Sequence, residues 1–361
     1  MKYSSPTKIP SKLPIEWVLV FNALIPVLVV VEDYINGYAI SCLAPYLNSL
    51  CGYSSMVTAL ILNLIGGTPV VKLSRIVGRD HADVYVKLEF LNPTGSHKDR
   101  IAYYMIKDAL DRGLVKEGGC VVEASSGNTA MAVAWVSSLL GLRAILVVNE
   151  DASPVKVAAM EALGAKVILS RPEEKRNIAE RIAREEGCVF LNQSGNEANV
   201  RAHYETTGPE ILKALGDVDA FVMGIGTGGT VCGVGRYLKD RIGSKVLIVG
   251  VVPKGSVITS PEASSRDVIE GLSTYSVPDI VKRYRDVIDR IIEVSYDEAL
   301  KTLAKVVRYE GILGGPSTGA NIHVALRVAK ELGRGKKVVT IAPDTILKYP
   351  ELLKEIKHLT Q

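Results

Sequence analysis

VYVKLEFLNPTGSHKDRIAYYMI, residues 84–106, holds a strand, a turn and the start of a helix in one unbroken run. Val84–Leu88 is apolar and β-branched, Asn92–Gly95 has turn chemistry, and Ile101 opens a segment with helical spacing. A strand that feeds straight into a helix is half of a βαβ unit, and the half recurs along the chain. Strand-like runs lie at 70–73, 84–88, 120–124, 144–148, 166–169, 220–224, 245–252 and 336–342. Helical spacing fills 98–113, 128–141, 154–164, 173–186, 199–215, 229–243, 296–311 and 318–333. Uniformly apolar strands that alternate with helices predict an α/β fold whose parallel sheets are covered on both faces. Gly113, Gly141, Gly164, Gly187 and Gly311 fall where helices should stop. Two βα series, before and after about residue 195, predict two domains.

The chain has 361 residues, 47% of them hydrophobic and 23% charged, enough to bury two cores. Its net charge of +4 is spread among acidic residues with no basic stripe, so nucleic acid is not an expected partner. The five cysteines (Cys42, Cys51, Cys120, Cys188, Cys232) show no CxxC spacing. They are expected to be buried free thiols in a reducing cytoplasm. The five histidines form no HExxH-type cluster, so no metal is expected. Glutamine occurs only at Gln193 and Gln361, a scarcity that heat-stable proteins share.

Residues 1–55 differ from the rest. Lys2, Lys8 and Lys12 precede the apolar run 17–31, which Asn22 and Pro26 interrupt. The run is shorter than the ~20 apolar residues a spanning helix needs. A signal or membrane anchor and a start codon read too far upstream are the alternatives. The second is preferred, because Met56 opens a self-sufficient βα series.

In open α/β sheets, ligands gather at the carboxyl ends of the strands, and four loops there carry chemistry. Lys98 sits in the first turn of its helix, where the dipole and partial burial both favour a neutral, nucleophilic amine. A solvated lysine beside Asp99 and Arg100, behind a capping turn, fits this stretch better when it is taken alone. Ser125, Ser126, Gly127, Asn128 and Thr129 bring hydroxyls and free N–H groups to a helix start, an anion site that suits a carboxylate. Gly226, Thr227, Gly228, Gly229 and Thr230 can cradle a phosphate. Ser317, in GGPSTGAN (314–321), offers a neutral partner for a buried heteroatom, although alone it reads as a helix cap. A cofactor with an aldehyde, a phosphate and a ring nitrogen would use amine, cradle and hydroxyl together, which points to pyridoxal 5′-phosphate (PLP).

IGGTPVVKL (65–73), NPTGSHKDR (92–100), SSGNT (125–129), AHYETTGPEI (202–211), GTGGT (226–230), EGLS (270–273), GPSTGAN (315–321) and APDT (342–345) occur in one order over residues 56–361. In these stretches the chain resembles the cysteine synthase/cystathionine β-synthase family of fold-type II PLP enzymes. The resemblance implies a tryptophan synthase β-like architecture, with two three-layer α/β/α domains and the active site in the cleft between them. A small mobile domain is expected over about 91–195, and a large one over about 69–90 plus 196–345. Lys98 would hold PLP and shuttle the substrate's α-proton. Asn128 would meet the ring oxygen, Gly226–Thr230 the phosphate and Ser317 the pyridine nitrogen. Ser125, Ser126, Gly127, Thr129 and Gln193 would hold the substrate carboxylate.

Three departures from the family pattern stand out. His97 occupies a position where cysteine synthases usually have Val, and NPTGS also resembles threonine synthases. His97 is read mainly as packing, with tuning of Lys98 as the alternative. Ser125 replaces the usual Thr. EGLS replaces EGIG and continues unusually through STYSVPDI (273–280), where the family selects its substrates. The neutral Ser317 leaves the ring a mild electron sink, which favours loss of a β-leaving group and addition of a nucleophile to the resulting aminoacrylate. The implied function is a cysteine synthase that joins an O-activated L-serine to sulfide. O-acetylserine is the default donor and O-phosphoserine its rival, with Arg266 as the candidate cation. Cystathionine β-synthase and serine/threonine dehydratase activity are the further alternatives. A cytoplasmic homodimer is expected, with membrane contact through 17–31 not favoured.

Overall fold

The computed structural model describes residues 61–359 apart from Ser126, Ser264 and Ser265. The extension 1–55, its apolar run, Cys42 and Cys51 lie outside the described residues. No helix among the described residues is long and apolar enough to cross a membrane.

Ten strands follow in chain order: β1 (Val70–Lys72), β2 (Asp83–Leu88), β3 (Cys120–Ala124), β4 (Arg143–Asn149), β5 (Lys166–Ser170), β6 (Val189–Phe190), β7 (Ala220–Gly224), β8 (Leu247–Pro253), β9 (Arg290–Val294) and β10 (Lys337–Ala342). They form a six-stranded sheet, ordered β1-β2-β10-β7-β8-β9, and a four-stranded sheet, ordered β5-β4-β3-β6. The helices that position the site are α1 (Lys98–Asp111), α2 (Asn128–Leu139), α3 (Pro154–Ala162), α4 (Lys175–Glu186), α5 (Glu197–Ala202), α6 (Gly208–Leu215), α7 (Gly229–Ile242), α8 (Asp279–Arg283), α9 (Tyr296–Lys305) and α10 (Pro316–Leu332).

Alternation along the central strands explains the layering. Ala220 and Val222 of β7 join Val84, Val86 and Val338 against Val324 and Val328 of α10. Phe221 and Met223 point the other way, onto Val231, Val234 and Leu238 of α7. In the smaller sheet, Val121 and Leu146 pack on Ile101 and Met105 of α1, while Val122 and Ile145 pack on Ala179 and Ile182 of α4. Each such side chain contributes about 1.5–3 kcal/mol when it leaves water, so neither sheet face can stay open. Two α/β layer systems result, as the fold-type II resemblance implies.

Four expectations are corrected. The large sheet is not wholly parallel: β1 runs antiparallel to β2, because a short connection over 73–82 returns the chain as a hairpin. β6 and β9 are strands that the apolar runs did not announce. The helix expected over 199–215 is three pieces, with a π-turn at His203–Thr207 between α5 and α6. The fourth concerns thiols. Cys120 and Cys188 form a disulfide, and only Cys232 is free among the described cysteines. The cause is register. β3 and β6 are parallel neighbours with Val121 opposite Val189, so the residues just before them lie side by side, their Cα atoms 4.6 Å apart. Both sulfurs sit in the buried layer beneath α4.

Candidate functional site

The turn before Lys98 is held from both ends. Gly95 N–H donates to the Asn92 carbonyl at 2.8 Å, and Thr94 N–H donates to Asp99 Oδ2 at 2.7 Å. His97 N–H donates to the Pro343 carbonyl at 2.9 Å, and Ser96 bridges to Asp344. The turn is thereby tied to the exit of β10, and Lys98, as the first residue of α1, enters a cleft at the carboxyl ends of the large sheet's strands.

The solvated reading of Lys98 is corrected here. Asp99 and Arg100 are buried, and Lys98 is itself partly buried with its side chain lining the cleft. Burial lowers its pKa to about 8, against the pull of Asp344 and Glu123 in the other direction. Glu123 is fully buried, and desolvation raises its carboxyl to about 8 despite a hydrogen bond from Gln193 N–H. Asp344 is buried too, raised by desolvation and partly held down by hydrogen bonds from Tyr349 and Asn128. Burial thus outweighs both carboxyls, and the amine gives up its proton more readily than an ordinary lysine. Capture of a small aldehyde on Lys98, trapped with borohydride and read by mass spectrometry, is expected to rise with pH to a midpoint near 8. Capture on an ordinary lysine would keep rising toward pH 10.5. A midpoint above 10 would remove the amine's special status.

The Gly-rich loop leaves β7 and becomes α7. Gly228 has φ +88°, the left-handed region that side chains avoid. A Cβ on Gly226 would lie 2.4 Å from the Gly271 carbonyl oxygen. At 226 and 228 the path leaves no place for a side chain, and the loop ends in the free N–H groups of a helix start. Asn199 Nδ2 donates to Thr227 Oγ1 at 3.0 Å and to the Gln193 carbonyl at 2.7 Å. The Thr230 hydroxyl pairs with His203 Nε2 at 3.1 Å, while His203 Nδ1 pairs with Thr207 at 2.9 Å. The π-turn thus serves to aim His203 at the loop, a common use of such turns near functional sites.

Ser317 is the second residue of α10 and is 4% exposed. The helix cap is Gly315, so the cap reading of Ser317 is corrected, and its hydroxyl lines the cleft. Asn128 also lines it, but its carboxamide is already engaged. Nδ2 donates to Asp344 Oδ2 at 2.6 Å and Oδ1 accepts from Lys348 Nζ at 2.7 Å, leaving one amide hydrogen for a ligand.

The structure brings Lys98, Asn128, Gly226, Thr227, Gly228, Thr230 and Ser317 to one cleft, with Gly229 inside the same loop. Ser125, Gly127, Thr129 and Gln193 do not line it. They form an adjoining cluster in which the Thr129 hydroxyl donates to Gln193 Oε1 at 2.7 Å. Ser126 lies outside the described residues. Arg266 is corrected as a candidate anion partner: its guanidinium donates to the carbonyls of Gly255 and Pro261 and does not line the cleft. The cations beside Asn128 and Asp344 are Lys348 and Lys156, the latter 4.8 Å over the Tyr349 ring and 3.0 Å from Glu270. A larger groove of about 400 Å³ shares none of these residues and plays no part in the site.

Sequence reasoning missed Asn199, His203, Asp344 and Lys348. Asp344 stood inside a quoted motif, and His203 lay in another without an assigned role. Nothing local marked Asn199 or Lys348.

The cleft brings together an amine, a Gly-rich cradle and a hydroxyl, the set that PLP requires. The model of the family described as "pyridoxal-phosphate dependent enzyme" matches residues 61–344. The chain is 39% identical over 295 residues to a cysteine synthase of Staphylococcus aureus, covering 80% of this chain and 94% of that one. It is 38% identical over 304 residues to a cystathionine β-synthase of Apis mellifera, covering 80% of this chain and 60% of that longer protein. The crystal structure of an O-ureido-L-serine synthase superposes with a TM-score of 0.76 at 35% identity, over 81% of this chain and 94% of that one. The family match runs from the segment before β1 to the end of β10 and takes in every loop of the cleft, so the chain belongs to the pyridoxal-phosphate dependent enzymes.

Proposed function

We propose that this enzyme replaces the β-leaving group of an O-activated L-serine with sulfide, giving L-cysteine. The observation that carries the reading is an amine of depressed pKa, Lys98, in one cleft with a glycine-rich anion cradle and a neutral hydroxyl. The similarity to a cysteine synthase over nearly that protein's full length supports it.

PLP, when bound, supplies an aldehyde that condenses with amines and a ring that withdraws electron density from the adjacent carbon. Gly226, Thr227, Gly228, Gly229 and Thr230 would hold its phosphate, Ser317 its ring nitrogen and Asn128 its ring oxygen. Ser125, Ser126, Gly127, Thr129 and Gln193 would take the substrate carboxylate, with the small domain (about 91–195) closing on the large one (about 69–90 plus 196–345). Lys98 Nζ then removes the α-proton and later returns one, because its pKa near 8 lets it act in both directions close to neutrality. Ser317 is neutral and fixes no proton on the nitrogen it faces, so charge on the substrate is relieved by expelling the β-substituent. Cytoplasmic location and a homodimer belong to the same reading.

Lys348, which stands behind Asn128 at the cleft wall, favours a donor whose leaving group is anionic, which makes O-phosphoserine the second reading. Parallel turnover of O-acetylserine, O-phosphoserine and serine, each with sulfide and with homocysteine, tests both. Cysteine is expected from sulfide and at least one O-activated serine. Cystathionine from serine and homocysteine, with no cysteine from sulfide, would overturn the proposal in favour of a cystathionine β-synthase.

A further inference from the structure

His97 immediately precedes the cofactor lysine, and its imidazole is unaccounted for. The side chain is 7% exposed and lines the same cleft as Thr227, Gly228 and Thr230. Its Nδ1 is buried with no hydrogen-bond partner. The ring meets His203 edge to face, with centroids 5.9 Å apart. His203 has both nitrogens engaged, by Thr207 and by Thr230 of the cradle. Of two touching imidazoles beside the anion loop, one is fully satisfied and the other has spare capacity. Buried polar groups are normally paired, so such an exception calls for a missing partner.

The surroundings indicate what that partner is. Lys98 and Arg100 from α1, His203 from the π-turn and Lys348 from the C-terminal segment all bear on His97, and together with burial they disfavour its protonated form. No nearby carboxylate pairs with His97: Asp99 takes Thr94, Glu89 takes Arg100, and Asp344 takes Asn128 and Tyr349 on Oδ2, its Oδ1 being buried without a partner. An imidazole that cations surround and no carboxylate pairs with is completed by an anion that enters from the cleft. Consecutive residues at a helix start point about 100° apart, so His97 and Lys98 reach different parts of one ligand. His97 stands at the Thr230 end through His203, away from the Ser125–Gln193 cluster.

We infer that His97 is a further ligand of the cofactor phosphate, donating from its imidazole to an oxygen that the cradle of residues 226–230 leaves open. The inference rests on the cofactor reading and extends it, since the position is valine in the usual cysteine synthase pattern. Phosphate brings the negative charge this corner lacks, so PLP binding should draw a proton onto the ring near neutral pH.

The test compares PLP with pyridoxal, which lacks the phosphate, on protein stripped of its cofactor. For His97→Val, PLP affinity is expected to fall about 10- to 100-fold, the range for a hydrogen bond to a charged group, with pyridoxal affinity unchanged. His97→Asn, which keeps a donor, should fall between. Calorimetry in buffers of different ionisation heat should show more proton uptake when wild type binds PLP than when either variant does, the difference being the proton on His97. Should the valine variant not fold, the asparagine variant and the ³¹P signal of the wild-type holoenzyme decide. That signal should titrate with an imidazole and stop doing so in His97→Asn. Equal losses for PLP and pyridoxal, no loss for either, or a ³¹P signal that His97→Asn leaves unmoved would overturn the inference. A wild-type chain that binds neither compound would instead sink the cofactor reading beneath it.

Discussion

Arg100→Ala is expected to cost the fold about 3–5 kcal/mol, seen as a lower urea midpoint and a fall in Tm of order 10 °C. Arg100 is 1% exposed, among the most buried side chains of the molecule. Its guanidinium contacts both oxygens of Glu89 at 2.8 Å and both oxygens of Glu210 at 2.7 Å. Lys87 Nζ adds a contact to Glu210 at 2.6 Å and to the Thr68 carbonyl at 2.8 Å. Two cations and two carboxylates thus balance in a space almost without water. Glu89 shows the balance: burial alone would raise its carboxyl, yet Arg100 and Lys87 bring it down to about 2. With alanine at 100, Glu89 stays buried beside Lys87 at 3.9 Å and loses its forked partner. Breaking one member of such a group costs far more than the group contributes as a whole. Arg100→Lys keeps the charge but not the fork, so a smaller loss is expected.

The pH dependence of this variant has a definite sign. In wild type, Glu89 is held below the ordinary 4.5 of a free glutamate, so its contribution is complete above that pH and is lost as pH falls toward about 2. In Arg100→Ala, burial without the guanidinium raises the Glu89 carboxyl above its unfolded value, so the folded state takes up the extra proton. The stability gap between the two proteins should therefore narrow as pH is lowered from 7 to 3. A gap that stays constant would mean that the loss comes from the cavity and not from the charges.

Arg100 also shows where reading the sequence succeeds and where it stops. Strands β3 and β7 match their expected runs residue for residue, because continuous apolar β-branched segments bounded by turn residues have few alternatives. Residues 226–230 were legible for the same local reason, a helix start of unusual composition, whereas Lys98 stood out only when the four loops were read together. Arg100 lies in NPTGSHKDR, where the sequence shows it only as a charged neighbour of Lys98. Its partners, Glu89 and Glu210, are 11 and 110 positions away, and no periodicity links them. The Cys120–Cys188 pair failed likewise, since it depends on the register of a two-residue strand. Thr230 with His203 and Asn128 with Lys348 are long-range pairings of the same kind. Backbone path is a local property of this chain, whereas the electrostatics of its cleft are set by residues that only the finished fold brings together.

Lys98→Ala is expected to lower turnover by at least ~10³-fold, since it removes both the group that would anchor the cofactor and the base that would move the α-proton. Lys98→Arg separates the two properties of the side chain. It keeps a positive charge at the start of α1 but cannot condense with an aldehyde, and it should be as inactive as alanine. If arginine retained more than a tenth of wild-type turnover, charge rather than nucleophilicity would be the essential property. Stability should move the other way. The Lys98 pKa is lowered from 10.5 to about 8, so at pH 7 an ammonium is confined where burial disfavours it. Between those values the unfolded chain binds more protons than the folded one, and wild-type stability rises with pH through that window. Alanine removes the charge altogether, so cofactor-free Lys98→Ala should be more stable than cofactor-free wild type at pH 7, by about 1–3 kcal/mol, with the gap closing as pH rises through 8. A residue whose removal abolishes activity while strengthening the apoprotein is retained for its chemistry, and the arrangement that weakens the fold at position 98 is the one that makes the amine reactive.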